Sequence, residues 1–111
     1  INYNREFIVN SLITNTGDPY VTVVEVVGEG VIDLITQLAV NPNYGYIYLE
    51  VDGRVELYNV QFTRAASPTS GGYLDSMSLS APIPFNERFV VKQSMMTTTG
   101  SIQTLVAYSL N

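Results

Sequence analysis

The sequence contains neither cysteine nor histidine among its 111 residues. Without cysteine the chain forms no disulfide and offers no thiolate nucleophile. Without histidine as well, the usual zinc sites are excluded, and so are catalytic triads that rely on an imidazole base. We therefore expect no chemistry of these kinds and no cofactor.

Charged residues are scarce too. Only 14% of the chain is charged, whereas about 25% is usual for soluble domains. This low value suggests that neighbouring subunits cover part of the surface. Ten acidic residues against five basic ones give a net charge of −5. Because nucleic acids and anionic membranes attract basic proteins, we expect neither as a partner.

Long apolar runs are also missing. No run approaches the roughly 18 residues that a membrane-spanning helix requires, so we expect no such helix. No pattern typical of a signal peptide is visible. Since the sequence starts at Ile1 rather than at a methionine, we expect a processed start, a trimmed start or a start that is incompletely known.

Residues that favour β-structure are abundant. Val, Ile, Thr and Tyr make up roughly a third of the chain, and turn-forming clusters separate short apolar segments. About eight such segments, spaced 8–12 residues apart, are typical of an antiparallel sandwich. We therefore predict an all-β fold, a jelly-roll-like β-sandwich with little or no helix. Residues 1–111 are enough for one domain, in which 1–20 form a first strand or an N-terminal arm.

The clearest local signal is a hairpin from Tyr44 to Val60 that turns at Asp52-Gly53. A two-residue turn would set Leu49 opposite Glu56 and mix core with solvent faces. A three-residue loop keeps each face uniform, with Gly53 left-handed in a bulge. That register pairs Leu49 with Val55, Ile47 with Leu57, Glu50 with Arg54, and Tyr46 with Tyr58.

Several other segments are predicted as strands. Glu6–Ile13 is the first, with Phe7 and Val9 on one face. Tyr20–Val27 is apolar on both faces, which fits a central strand or one whose outer face meets another subunit. Val31–Val40 matches both a strand and a helix, and its β-branched content favours the strand, with Gln37 outward.

The C-terminal strands and the core complete the fold prediction. Arg88–Gln93 and Ser101–Leu110 are the last two strands, predicted to be joined by a hairpin loop. Pro82 and Pro84 exclude their segment from a central strand. The residues expected in the core are Ile32, Leu34, Ile47, Leu49, Val55, Leu57, Phe89, Val91 and Val106.

No catalytic motif is present, and we expect no enzymatic activity. Glu25, Glu29 and Asp33 could supply a pair of carboxylates for acid–base chemistry, but a solvated sheet face explains them better. Asn15, Asp18 and Glu29 could hold a calcium ion, although they lack the spacing of an EF-hand and turn formation accounts for two of them.

Tyrosine is the one residue type that points to an interaction. Tyr44, Tyr46 and Tyr48 alternate along one strand, and Tyr58 is predicted across from them. Such a face could be covered by a second sheet, dock against another protein chain, or stack on sugar rings. The residues predicted at a subunit interface are Tyr44, Tyr46, Tyr48, Tyr58, Val21 and Val23.

Short motifs add a family resemblance. They are VVGEGVIDLI at Val26–Ile35, the turn at Val51–Gly53, PIPFNERFVVK at Pro82–Lys92, and VAYSL near the C-terminus. Together they resemble small jelly-roll-like β-sandwich domains of bacteriophage virion proteins. The resemblance spans roughly Val26–Leu110, and Ile1–Tyr20 matches nothing in that family.

The resemblance implies a structural role. Proteins of this kind are head decoration or cement proteins, head fibres or tail components, and they often form trimers. It implies that the chain is a non-enzymatic virion protein whose partners are copies of itself and other virion proteins such as the major capsid protein. The alternative is a carbohydrate-binding module that uses the tyrosine face.

Overall fold

The structure, a computed structural model, describes residues 5–14, 20–40, 43–65, 74–80, 82–95 and 101–111. All regular secondary structure in these ranges is β-strand, and ten strands are present. They are β1 (Arg5–Thr14), β2 (Val21–Val27), β3 (Gly30–Val40), β4 (Asn43–Val51), β5 (Arg54–Ala65), β6 (Leu74–Ser76), β7 (Ser78–Leu79), β8 (Ile83–Phe85), β9 (Arg88–Met95) and β10 (Ser101–Leu110).

The strands form two antiparallel sheets packed face to face. Sheet 1 has the order β1-β10-β3, with β7 and β8 both pairing with the far side of β3. Sheet 2 has the order β2-β9-β4-β5-β6. The chain alternates between sheets at most connections, which gives the strand order of a jelly roll. The predicted fold class is confirmed, but β9 and β10 lie in different sheets and do not form the predicted hairpin.

The N-terminal segment Arg5–Thr14 is a strand of sheet 1 rather than a free arm. Each of its residues pairs with β10 in an unbroken register from Arg5 opposite Leu110 to Thr14 opposite Ser101. Val9 packs against the interior and Ile8 is 67% exposed, so the predicted alternation of faces is confirmed. By contrast β2 is an edge strand of sheet 2, so the prediction of a central position for it is wrong.

Most of the predicted core is confirmed. Ile32, Ile47, Leu49, Phe89, Val91 and Val106 are at most 1% exposed, and Leu57 is half-buried against the same cluster. Phe89 lies at the centre, with its ring 4.8 Å from that of Phe85 and 5.3 Å from that of Tyr108. Val55 is the clear exception, because 53% of it is exposed.

A bulge in β3 explains a second set of errors. Val31–Val40 is a strand as predicted, but Ile32 pairs with Tyr108 while Leu34 pairs with Ala107, which leaves Asp33 as an extra residue. The extra residue reverses the faces that follow it. Gln37, predicted outward, is therefore only 2% exposed, whereas Leu38 is 41% exposed.

The β4–β5 hairpin also departs from the predicted register. Val51 pairs with Arg54 across a two-residue turn in which Asp52 (φ 50°) and Gly53 (φ 81°) are both left-handed. Three bulges in β5 then shift the pairing, so that Leu49 lies opposite Leu57 and Tyr46 opposite Gln61. The predicted pairing of Leu49 with Val55 and of Tyr46 with Tyr58 was therefore wrong. The alternation of apolar and polar residues does not reveal bulges.

The left-handed backbone of Gly53 was predicted correctly and has an energetic consequence. A Cβ at Gly53 would meet no atom within 4 Å, so only backbone strain opposes a substitution there. We expect Gly53→Ala to lower the unfolding free energy by about 1 kcal/mol, and Gly53→Asn to cost less because Asn tolerates this conformation. Urea denaturation of the two variants measures the difference. Equal stability of Gly53→Ala and the wild type would contradict the assigned conformation.

The Asp52 carboxylate fastens this turn to the neighbouring one. It accepts hydrogen bonds from the backbone N–H groups of Asn86 (3.0 Å), Glu87 (2.7 Å) and Arg88 (3.1 Å). The Asp52 N–H in turn donates to the Arg88 carbonyl at 2.9 Å. The hydrogen bonds from Asn86 and Glu87 hold the pKa of Asp52 below its ordinary value.

This lowered pKa predicts a pH-dependent contribution to stability. The charged form of Asp52 is favoured in the folded state, so its contribution is complete above the unfolded-state pKa of about 3.9 and is lost as pH falls through the folded-state pKa. We expect Asp52→Asn to lower the denaturation midpoint at pH 7 and the difference from wild type to shrink below pH 4. A difference that is unchanged down to pH 2 would contradict this role.

A polar belt crosses the interior between two apolar clusters. Ser11, Thr104 and Gln37 lie in register across β1, β10 and β3. The Gln37 amide donates to the Thr104 hydroxyl at 3.1 Å, and that hydroxyl donates to Gln93 Oε1 on β9 of sheet 2. Gln93 Nε2 donates to the Ser11 hydroxyl at 2.8 Å, so the belt ties the two sheets together. The smaller cluster beyond the belt consists of Ile13, Ala39, Met95 and Ile102.

Candidate interaction surfaces

The outer face of sheet 2 carries the tyrosines. Along β4 the interior takes Gly45, Ile47 and Leu49, whereas Tyr44, Tyr46 and Tyr48 alternate with them and are half-buried on the outer side. Gly45 allows a close approach here, since a Cβ at this position would lie 2.4 Å from Gln37 Oε1. The predicted alternation of the β4 tyrosines is therefore present.

Three tyrosines meet on this face, and we call them the tyrosine cluster: Tyr20, which immediately precedes β2, Tyr48 on β4 and Tyr58 on β5. The ring centroid of Tyr20 lies 5.8 Å from that of Tyr48 and 6.5 Å from that of Tyr58, and the last two are 6.3 Å apart. The Tyr20 hydroxyl also donates to Asn59 Oδ1 at 3.0 Å. Asn59 is left-handed (φ 56°) within a bulged part of β5, which brings its side chain to Tyr20.

The rings of the tyrosine cluster are tilted by 51° to 76° against one another. Tilted and edge-to-face contacts are favourable for aromatic pairs, but they do not form one flat platform. Tyr58 alone is largely uncovered, with 72% of it exposed. The cluster can thus offer one exposed ring supported by two others.

Polar contacts surround the cluster. The Lys92 ammonium lies 5.1 Å from the ring centroid of Tyr48, within the range of a cation–π contact. The Tyr48 hydroxyl donates to Glu50 Oε1 at 3.1 Å. Burial raises the pKa of Tyr20, with a smaller contribution from Tyr58, and burial together with the Glu50 contact raises the pKa of Tyr48. Both phenols remain neutral donors at physiological pH, suited to hydrogen bonding rather than to base chemistry.

Val21 and Val23 pack against the interior and not on the outer face that carries the tyrosine cluster. Val21 packs against the smaller apolar cluster, and Val23, the extra residue of a bulge in β2, packs against the larger one. The exposed residues of β2 are Thr22, Glu25 and Val27. An interface on this side of the molecule therefore has to be formed by these three side chains.

The outer face of sheet 1 is a second, largely apolar surface. Ile8 (67% exposed) and Leu12 (62% exposed) on β1 lie beside β10, and Leu38 (41% exposed) lies on β3. Between them is a shallow, open depression lined by Asn10, Thr36, Gln37, Leu38, Gln103 and Leu105. Sequence reasoning missed this face because the bulge at Asp33 hid the exposure of Leu38.

The acidic residues considered for catalysis each have a partner of their own. Glu25 lies 3.5 Å from Arg88, which also contacts Glu50 at 3.5 Å. Asp33 accepts a hydrogen bond from Ser109 at 2.7 Å, and Glu29 accepts one from Asn111 at 3.2 Å. Within the described ranges no three acidic residues form a group that could hold a metal ion. The other two calcium candidates, Asn15 and Asp18, lie outside these ranges.

Two general findings complete the description. In the part of the chain that the structure describes, no helix is long and apolar enough to span a membrane. In comparisons with known proteins, no family model matches the chain, and no curated protein shows significant similarity to it.

Proposed function

We propose that the protein is a non-enzymatic structural subunit of a bacteriophage virion, a decoration, cement or other head- or tail-associated protein that assembles with copies of itself. The observation that carries this proposal is the presence of three exposed apolar side chains, Ile8, Leu12 and Leu38, on the outer face of sheet 1. Apolar side chains grouped on an exposed face are typical of interaction surfaces. Only 14% of the residues are charged, so few charges are available to keep this face in contact with water. Contact with neighbouring subunits would cover it.

The fold and the sequence motifs support the same proposal. Jelly rolls occur in viral capsid proteins, and also in lectins and cupins, so the strand order alone does not select a function. The motifs at Val26–Ile35 and Pro82–Lys92 that resemble virion proteins form the β2–β3 connection and the β8–β9 segment. Assembly as a trimer, attachment to a major capsid protein and location in the virion belong to this proposal.

A binding experiment with virus particles tests it. Purified protein is added to particles produced without its gene, and we expect saturable co-sedimentation. Replacing both Tyr48 and Tyr58 with Ser should reduce the occupancy if the tyrosine cluster takes part in the contact. Val55→Ser is the control, because Val55 is 53% exposed on β5 and belongs to none of the candidate interaction surfaces. A wild-type protein that binds no particle would overturn the proposal.

Carbohydrate binding is the second candidate, favoured by the exposed Tyr58 ring. Sugar recognition by one aromatic ring with hydrogen-bonding neighbours would use Tyr58 and the polar groups of Asn59 and Lys92. A glycan array distinguishes the two candidates. Binding that is lost in Tyr58→Ala, together with absence from particles, would select this function over the structural one.

A further inference from the structure

The sheet edges formed by described residues differ in how they are protected. β7 and β8 contain two and three residues, and Pro84 lies within β8. β6 contains three residues, and β2 is interrupted by a bulge at Val23 and carries the exposed Glu25. Short length, proline, bulges and charges are the usual devices that prevent sheet edges from pairing with other chains.

The edge formed by β1 lacks all of these devices except two charges at its beginning. It is ten residues long, pairs with β10 without a bulge, and contains neither proline nor lysine. Its two charged residues, Arg5 and Glu6, stand at its beginning. Among the described residues β10 alone pairs with it, and its exposed side chains include Ile8 and Leu12. Such an edge is a template for a further strand.

We propose that β1 pairs antiparallel with β1 of a second copy of this chain, so that the two copies of sheet 1 form one continuous sheet. The inference deepens the proposed function, since it rests on self-assembly and names the surface involved. The twofold axis lies between Asn10 and Asn10 of the second copy, which are directly opposite each other. Pairing of this kind is isologous and gives dimers, so a trimer would have to be built through another surface.

The position of the axis follows from the faces of the strand. Directly opposite residues of an antiparallel pair point to the same face of the sheet. One residue must therefore lie opposite its own copy, and the twofold axis lies between these two copies. An axis at Asn10 places Ile8 opposite Leu12 of the second copy, and Phe7 opposite Ile13. An axis at Val9 would instead place Ile8 opposite Asn10 and leave the apolar side chains unmatched.

Charge favours a second copy as the occupant. In the register centred on Asn10, Glu6 lies opposite Thr14, and no two charged residues face each other between Glu6 and Thr14. Two molecules that each carry a net charge of −5 can thus meet here without a repulsive pair at the contact.

The size of the contact sets its strength. Nine paired residues span about 30 Å, and an edge about 10 Å deep would bury roughly 600 Å² in total. Interfaces of this size are weak, so we expect a concentration-dependent dimer in solution. The high local concentration on a particle surface would favour the paired form.

Cysteine cross-linking tests the register, because the chain has no cysteine of its own. Asn10→Cys should form a disulfide-linked dimer on mild oxidation, since opposite Cα atoms in an antiparallel pair lie about 4.5–5.5 Å apart. Ile8→Cys alone and Leu12→Cys alone should form no disulfide-linked dimer, because like residues would lie roughly 14 Å apart. A mixture of those two variants should form a cross-linked dimer.

Lysine variants distinguish edge pairing from contact through the outer face of sheet 1. In sedimentation velocity, Ile8→Lys should abolish the dimer, whereas Leu38→Lys, two strands away from the edge, should leave it unchanged. Equal loss in both variants, or no cross-link in either cysteine experiment, would overturn the inference. A protein that binds particles without cross-linking retains the proposed function and refutes the inference, whereas a cross-linked dimer that binds no particle refutes the function alone.

Discussion

Phe89→Ala is expected to lower the unfolding free energy by about 3–5 kcal/mol, a large share of the stability of a domain of this size. The Phe89 ring is fully buried and contacts the rings of both Phe85 and Tyr108. Its removal leaves a cavity between strands of both sheets, because Phe85 and Tyr108 belong to sheet 1 and Phe89 to sheet 2.

Val55→Ala is the matched control for this measurement. Both residues were expected in the core from the sequence, but Val55 is 53% exposed, and we expect its truncation to cost less than about 0.5 kcal/mol. Guanidinium denaturation of the two variants gives the comparison. Similar losses in both would contradict the assigned packing of β5.

Thr104→Val is expected to cost about 2–5 kcal/mol, although the two side chains have nearly the same shape. Its hydroxyl is the central link of the polar belt, accepting from Gln37 and donating to Gln93. Valine would leave Gln93 Oε1 without this partner, and a buried group left unsatisfied costs about 1–3 kcal/mol. Gln37 Nε2 would lose one hydrogen bond, worth about 0.5–1.5 kcal/mol, and keep the one that it donates to the Tyr46 carbonyl at 3.4 Å. Gln37 is sensitive to this loss, because its buried Oε1 atom has no hydrogen-bond partner among the residues that the structure describes.

Thr22→Val serves as its control. Thr22 is exposed on β2, and we expect the same change there to alter the unfolding free energy by less than about 0.5 kcal/mol. Denaturation curves for the two variants, measured under the same conditions, test the belt. A Thr104→Val protein as stable as the wild type would show that the belt contributes no net stability.

The alternation of apolar and polar residues was sufficient to predict the long strands, but neither the short strand β8 nor the bulges within the long strands. The register of β1 has no bulge, and its faces were predicted correctly from Phe7 and Val9. In β3 a single extra residue, Asp33, reversed the faces of Gln37 and Leu38. A bulge depends on the strands that pair on either side, and no local signal marks it in the sequence.

The candidate surfaces were predictable to a similar degree. Tyr44, Tyr46 and Tyr48 followed from the period of one strand, whereas Tyr20 joins the cluster from the position just before β2, with β9 lying between β2 and β4. Such contacts arise from sheet order, which strand patterns alone do not fix. The unprotected edge of β1 could likewise be recognised only after the order of the strands was known.

The measurement that tests the central proposal most directly is a density map of the phage particles to which the proposal assigns this chain. The account predicts the two-sheet fold at regularly repeated positions on the particle, with tyrosine or sheet 1 surfaces in contact with neighbouring subunits. Particles that contain no copy of the protein would contradict it.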